Sequence, residues 1–134
     1  MNEIKNLRVL VIDDYTYYGD LFRRKIESAL NETIEFHFAV NANEGLSKLQ
    51  SRRYDYIFID ACLEGCGVKL PDGYEIMMGA YLAELARKFT DAKLIALTAW
   101  DLSQEDGKDR FDAILTKPVL SKSIEKIKSV LENA

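Results

Sequence analysis

The sequence predicts an α/β fold, a parallel sheet covered by helices on both faces, and three observations predict it. Short apolar runs recur along the chain and each stops abruptly at a polar residue. Between them lie segments whose apolar residues return at helical spacing. Runs and segments alternate as β-α-β-α-β-α-β-(α)-β-α, an order that lays successive strands parallel and puts helices on the two faces. At 134 residues and 48% hydrophobic, the chain supports one core and is expected to be one domain over 1–134.

The first strand is Leu7 to Ile12, apolar except for Arg8, as a strand covered on both faces should be. From about Thr16 to Leu30, Tyr18, Phe22, Ile26 and Ala29/Leu30 form one helical stripe while Arg23, Arg24 and Glu27 lie off it. Ile34, Phe36, Phe38 and Val40 alternate with Glu35, His37 and Ala39, a strand with one wetter face that belongs at a sheet edge. His37 is expected there as an ordinary surface residue. Asn41 or Asn43 can cap a helix through about Ser51, with Leu46 and Leu49 inward. Tyr54 to Ile59 is a buried-type strand that ends at Asp60. Ala61 to Gly73 contains three of the chain's seven glycines and Pro71, so it reads as loop. A helix is expected from about Tyr74 to Phe89, with Met77, Met78, Tyr81 and Leu85 on its buried stripe. Lys93 to Leu97 is the next strand and leads into Thr98. Asp101 to Arg110 is polar and supports only a short or irregular helix. Phe111 to Thr116 is the last strand, and Ser121 can cap a final helix facing inward through Ile124, Ile127 and Leu131.

Composition excludes several classes. The chain has 18 Lys+Arg against 22 Asp+Glu, a formal charge of −4, and no basic stripe to follow a nucleic-acid backbone. No run nears the roughly 18 apolar residues of a membrane span, and the N-terminus has no signal-peptide pattern; a cytoplasmic protein is expected. Two cysteines, Cys62 and Cys66, are too few for a disulfide scaffold, and one histidine leaves a structural zinc site without ligands.

The strand ends carry the chemistry, because in such sheets the working site lies beyond their carboxyl ends. Asp13 and Asp14 follow the first strand, Asp60 the third, Thr98 the fourth and Lys117 the fifth. Three carboxylates meeting at one rim repel one another and call for a cation. All-oxygen donors favour a hard ion, Mg²⁺ best. A carboxylate beside that metal, an ammonium and a hydroxyl is equipped to receive a phosphoryl group, since both cations stabilise charge on the transferring oxygens. Singly, each residue has an ordinary explanation as a cap, turn or surface charge. Pro118 biases Lys117 toward an extended backbone and allows a cis peptide between them.

Val-Leu-Val-Ile-Asp13-Asp14, Tyr-Ile-Phe-Ile-Asp60, Pro71-Asp72-Gly73, Leu-Ile-Ala-Leu-Thr98-Ala99 and Ile-Leu-Thr-Lys117-Pro118, in that order, resemble the receiver domain of two-component response regulators over essentially the whole chain. It is similar in particular to the single-domain chemotaxis type. The resemblance implies a flavodoxin-like (βα)5 sheet in strand order 2-1-3-4-5. It implies Asp60 as phosphoacceptor, supplied by a sensor histidine kinase or a phosphotransfer protein. It also implies Mg²⁺ on Asp13, Asp14, Asp60 and the main-chain carbonyl of Cys62, with Thr98 and Lys117 binding phosphoryl oxygens. Catalysis would be limited to the domain's own phosphorylation and dephosphorylation, and output would pass to a protein target or an effector domain outside this chain.

The chain departs from that pattern in three places. Cys62 to Leu70 holds an insertion of about five residues, which a loop tolerates. Ile114 stands where the family usually has an aromatic residue that turns inward on activation. The stretch from Thr98 to Lys117 is slightly short. Trp100 and Cys62 occupy positions that flank the phosphoryl group in the family, and a bulky indole there would slow hydrolysis. The main rival is a degenerate receiver that binds protein constitutively. A haloacid dehalogenase-type phosphatase would need an acid where Tyr15 stands, and a flavodoxin would need a Ser/Thr/Gly-rich cradle where the first turn is acidic.

Overall fold

Six residues, Leu7–Ile12, form β1, and the four of them from Val9 onward are fully buried, as a run apolar on both faces requires. The computed structural model describes residues 7–14, 19–63, 67–99, 107–119 and 122–134. After β1 come α1 (Gly19–Leu30), β2 (Ile34–Ala39), α2 (Ala42–Ser51), β3 (Tyr56–Asp60), the short strands β4 (Val68–Lys69) and β5 (Glu75–Ile76), α3 (Met78–Ala86), β6 (Lys93–Thr98), a 3₁₀ turn (Lys108–Arg110), β7 (Ala113–Thr116) and α4 (Ile124–Glu132). Five strands pair in parallel in the order β2-β1-β3-β6-β7. Counted among these five alone, that is the predicted 2-1-3-4-5.

Strand alternation splits the apolar residues between two cores. Leu10, Ile12, Ile57, Ile59, Leu94 and Ala96 face α2 and α3. Val9, Val11, Phe58, Ile95 and Leu97 face α1 and α4, where they meet Phe22, Ile26, Ile127 and Leu131. Phe22 and Phe58 join across that second core edge to face at 5.4 Å, a geometry worth about 1 kcal/mol beyond area burial. The helix caps are local: Asn41 Oδ1 accepts from Glu44 N at 2.8 Å, and Ser123 Oγ accepts from Lys126 N at 3.1 Å. The expected cap Ser121 lies outside the described residues. Ile124 sits on the exposed side of α4, 37% accessible, and leaves the core to Ile127 and Leu131.

The largest correction falls between β3 and α3. Residues 67–76, expected as loop and then helix, form an antiparallel hairpin in which Val68 pairs with Ile76 and Lys69 with Glu75. Pro71-Asp72-Gly73 makes its turn. Asp72 Oδ1 accepts from Tyr74 N, Gly73 takes φ 91°, and Leu70 N donates to Tyr74 O at 2.7 Å. This is the three-residue hairpin loop with a glycine in the left-handed position. Helix α3 therefore starts at Met78 instead of Tyr74 and ends at Ala86, short of Phe89. Its buried face is Gly79, Ala80, Leu82, Ala83 and Ala86, small residues that bring the helix close to the sheet, while Met78, Tyr81 and Leu85 are only half-buried.

Smaller differences have similar reasons. Strand β3 begins at Tyr56, two residues after Tyr54, and β7 at Ala113, because Phe111 caps the 3₁₀ turn. Tyr54 is buried, and its hydroxyl lies 2.7 Å from Nδ1 of His37. His37 is thus a half-buried link between β2 and the start of β3 and not a plain surface residue. The Lys117–Pro118 peptide is cis.

Candidate functional site

Each strand that carries a predicted site residue delivers it to the same rim. Strand β1 is pinned between β2 and β3, and its ladder continues one step past the last apolar residue, with Asp13 N donating to Ala39 O at 3.0 Å. That step buries Asp13 completely and leaves Asp14 exposed. Asp60 closes β3 in register with Leu97, and Ala61 N donates to Leu97 O at 2.9 Å, so Thr98 follows at the same end of the neighbouring strand. Thr98 is 1% accessible. Lys117 N donates to Thr98 O at 2.7 Å just past β7.

The side chains converge. Carboxylate oxygens of Asp13, Asp14 and Asp60 lie within 4.8 Å of one another. Lys117 Nζ stands 3.0 Å from Asp13 Oδ2 and 3.7 Å from Asp60 Oδ1. Cys62 N donates to Asp60 Oδ1 at 3.1 Å, which folds the chain tightly past that carboxylate. Burial, reinforced by the negative charge of Asp13, pushes the Asp60 carboxyl up to about 6, against the opposing pull of Lys117 and the Cys62 amide. In its ionised form such a carboxylate can act as a nucleophile.

The donor set fits a cation. It is oxygen throughout, and its three negative charges outweigh the single positive charge of Lys117. Bringing a hard divalent ion among Asp13, Asp14 and Asp60 would relieve the repulsion that adds to burial in raising Asp60. Chemically, the rim offers a carboxylate nucleophile, an ammonium and a hydroxyl beside a place for a metal, the requirements for charge stabilisation during group transfer.

Five residues named from the sequence, Asp13, Asp14, Asp60, Thr98 and Lys117, are gathered at this rim, and half-buried Cys62 follows two residues after Asp60. Trp100 and Cys66 lie outside the described residues. Gly73 serves the hairpin turn alone, since a Cβ there would meet nothing within 4 Å. The glycine that backs the site is Gly79, which sequence reasoning missed. A Cβ on Gly79 would lie 2.3 Å from Asp60 O and 2.7 Å from Ala61 Cα, and its N–H donates to Ala61 O at 3.1 Å. A lone glycine inside the expected helix, a position that costs stability unless close packing requires it, was its signal in the sequence.

No protein-family model matches the sequence, and no curated protein does. Solved structures do. A CheY-like response regulator receiver domain from Methanospirillum hungatei JF-1 is 28% identical, with a TM-score of 0.63, over 96% of this chain and 97% of that one. A CheY-like receiver domain from Methylobacillus flagellatus reaches a TM-score of 0.69 at 21% identity, over 96% and 98%. A response regulator protein from Burkholderia pseudomallei, with a phosphorylated aspartic acid, calcium ion and citrate, reaches 0.67 at 20% identity, over 94% of this chain and 66% of that one. Among the described residues, no helix is long and apolar enough to cross a membrane. The strand order β2-β1-β3-β6-β7 and coverage of about 96% together make this the fold of the CheY-like response regulator receiver domains.

Proposed function

We propose that this chain is a two-component signalling receiver that accepts a phosphoryl group on Asp60 and changes its protein contacts in response. The observation that carries the reading is the Asp60 carboxylate itself: nearly buried, fixed by the Cys62 amide, 3.7 Å from Lys117 Nζ and clustered with two further acids. The donor would be a phosphohistidine of a sensor kinase or phosphotransfer protein. An Asp60 oxygen forms the new P–O bond as the P–N bond breaks, and the departing imidazole keeps the electron pair and takes a proton. Lys117 and Thr98 would hold phosphoryl oxygens. Mg²⁺ would be held by Asp13, Asp14, Asp60 and the Cys62 carbonyl, and when bound it neutralises charge on the transferring oxygens. The solved Burkholderia relative with a phosphorylated aspartic acid and a calcium ion supports this assignment.

The only reactions catalysed would be the domain's own phosphorylation and dephosphorylation, and the switched target would be a separate protein or an effector domain. The phosphoryl state favours one of two conformations and shifts their populations. Incubation with acetyl phosphate and Mg²⁺, followed by intact mass, tests the reading. Wild type should gain one phosphoryl group and Asp60→Asn none; an unmodified wild type sinks it.

One observation favours a second reading. Ile114 is aliphatic and partly exposed, 36% accessible, on the edge strand β7, so the usual inward-turning ring is missing. A degenerate receiver that binds its partner regardless of phosphorylation would follow. Equal partner affinity for phosphorylated and unmodified protein would select that reading.

A further inference from the structure

The 3₁₀ turn after Gly107 lies outside the acceptor site, yet two tight contacts join it to Asp60. The first is Gly79, in the first turn of α3, whose backbone lies against the main chain of Asp60 and Ala61 where no Cβ fits. The second is at the next residue. A Cβ on Gly107 would stand 2.9 Å from Ala80 Cβ and 3.8 Å from Ile76 Cβ. Gly107 is itself buried, has φ 91°, and accepts from Arg110 N at 3.0 Å; Arg110 Nε in turn lies 3.6 Å from Glu84 Oε2 on α3. The amino-terminal half of α3 is therefore held between the acceptor's main chain and the 107–110 turn. Neither gap has room for one more carbon, and packed interiors transmit strain, so filling either gap would push on the helix.

We infer that Gly107 is a positioning residue for the phosphoacceptor. Its seat against Ala80 sets how far the Gly79 turn stands from Asp60, and through it the placement of the Asp60 carboxylate against Asp13, Asp14 and Lys117. The inference rests on the phosphoacceptor reading of Asp60.

The test is a cycle of variants assayed for phosphorylation by acetyl phosphate in Mg²⁺, with each rate expressed per folded molecule by circular dichroism. Gly107→Asn keeps a residue that tolerates positive φ but adds the Cβ that meets Ala80. Ala80→Gly removes the atom it meets. Gly73→Asn is the control, with the same φ of 91° and nothing within 4 Å. We expect G107N to slow phosphorylation about tenfold, the G107N/A80G double variant to recover to within about threefold of wild type, and G73N to match wild type. A folded G107N that reacts at the wild-type rate overturns the inference, and so does a slow G107N that A80G fails to rescue. If G107N alone does not fold, the double variant decides: fast supports the inference and slow refutes it. A wild type that takes no phosphoryl group overturns the receiver reading and this inference with it, whereas a reactive wild type beside an unaffected G107N overturns this inference alone.

Discussion

Adding a single methyl group to the helix behind the acceptor, Gly79→Ala, should separate stability from reactivity. The new Cβ would lie 2.3 Å from Asp60 O, 2.7 Å from Ala61 Cα and 3.0 Å from Ala61 O, all main-chain atoms, where ordinary contact begins at 3.4 Å. The helix or the Asp60–Ala61 segment must therefore move by about 1 Å. Overpacking of this kind costs roughly 1–3 kcal/mol. Alanine in place of glycine in a helix returns about 1 kcal/mol, so the net loss is roughly 0–2 kcal/mol. For a domain of this length that lowers Tm by less than about 10 °C, and the variant stays folded at room temperature. Misplacing a reacting group by about 1 Å, by contrast, costs on the order of 100-fold in rate. Thermal melts by circular dichroism and acetyl phosphate labelling followed by intact mass give the two quantities side by side. A variant that phosphorylates within threefold of wild type would show that the main chain of Asp60 does not depend on this contact, and the reasoning would fail.

Two further predictions concern the opposite end of the sheet. Asp112 Oδ2 accepts from Leu94 N at 2.8 Å and pairs with Arg87, which also donates to Ala92 O at 2.9 Å, so one carboxylate ties α3, β6 and β7 together. Asp112→Ala should cost about 2 kcal/mol by urea denaturation, for the loss of two hydrogen bonds to a charged group. Burial alone would raise this carboxyl, but the Leu94 amide and Arg87 outweigh it and hold the group below its ordinary value of 3.8. Its contribution is therefore full above that value and fades as pH falls through the lowered one, so the gap between wild type and variant should close in acid; a constant gap refutes the assignment. His37 has the opposite charge and the same sign. Burial, with the positive charges of Arg52, Lys48 and Arg8, holds it below its ordinary 6.5 against the pull of Glu35. The unfolded chain then binds the proton more readily, and the stability His37 contributes is lost as pH falls from 6.5. Asp60, with its raised carboxyl, gains stability over part of the same window. Urea midpoints of wild type and His37→Gln at pH 8 and pH 5 isolate the histidine, and an equal change in both proteins would refute its role.

The strands and the site were legible in the sequence for one reason. Strands buried on both faces must be apolar throughout, so a residue such as Asp13, Asp60 or Thr98 at the end of such a run marks both the strand's end and the candidate site. What escaped detection depends on tertiary contact or on very short elements. Strands of two residues have no periodicity, so β4 and β5 were hidden, although Pro71-Asp72-Gly73 has the composition of a tight turn. The buried face of α3 was misassigned because Ala80, Ala83 and Ala86 give a weaker hydrophobic signal than Met78, Tyr81 and Leu85, yet only small side chains permit that approach to the sheet. Gly79 and the His37–Tyr54 link were missed because each is defined by a partner distant in sequence. The cap of α4 is Ser123, two residues past the expected Ser121, a difference within the usual uncertainty of helix boundaries.

Among the described residues, the hairpin of residues 67–76 pairs only with itself, because neither β4 nor β5 joins the five-stranded sheet. Its two ends, Val68 and Ile76, are paired neighbours, whatever happens at the tip. Lengthening that tip between Asp72 and Gly73 costs little beyond loop-closure entropy, which grows only logarithmically with length. A reporter peptide or epitope spliced there would ride on a hairpin that lies outside the five-stranded sheet and would leave the pairing of the parallel strands as it is, making the tip a natural attachment point.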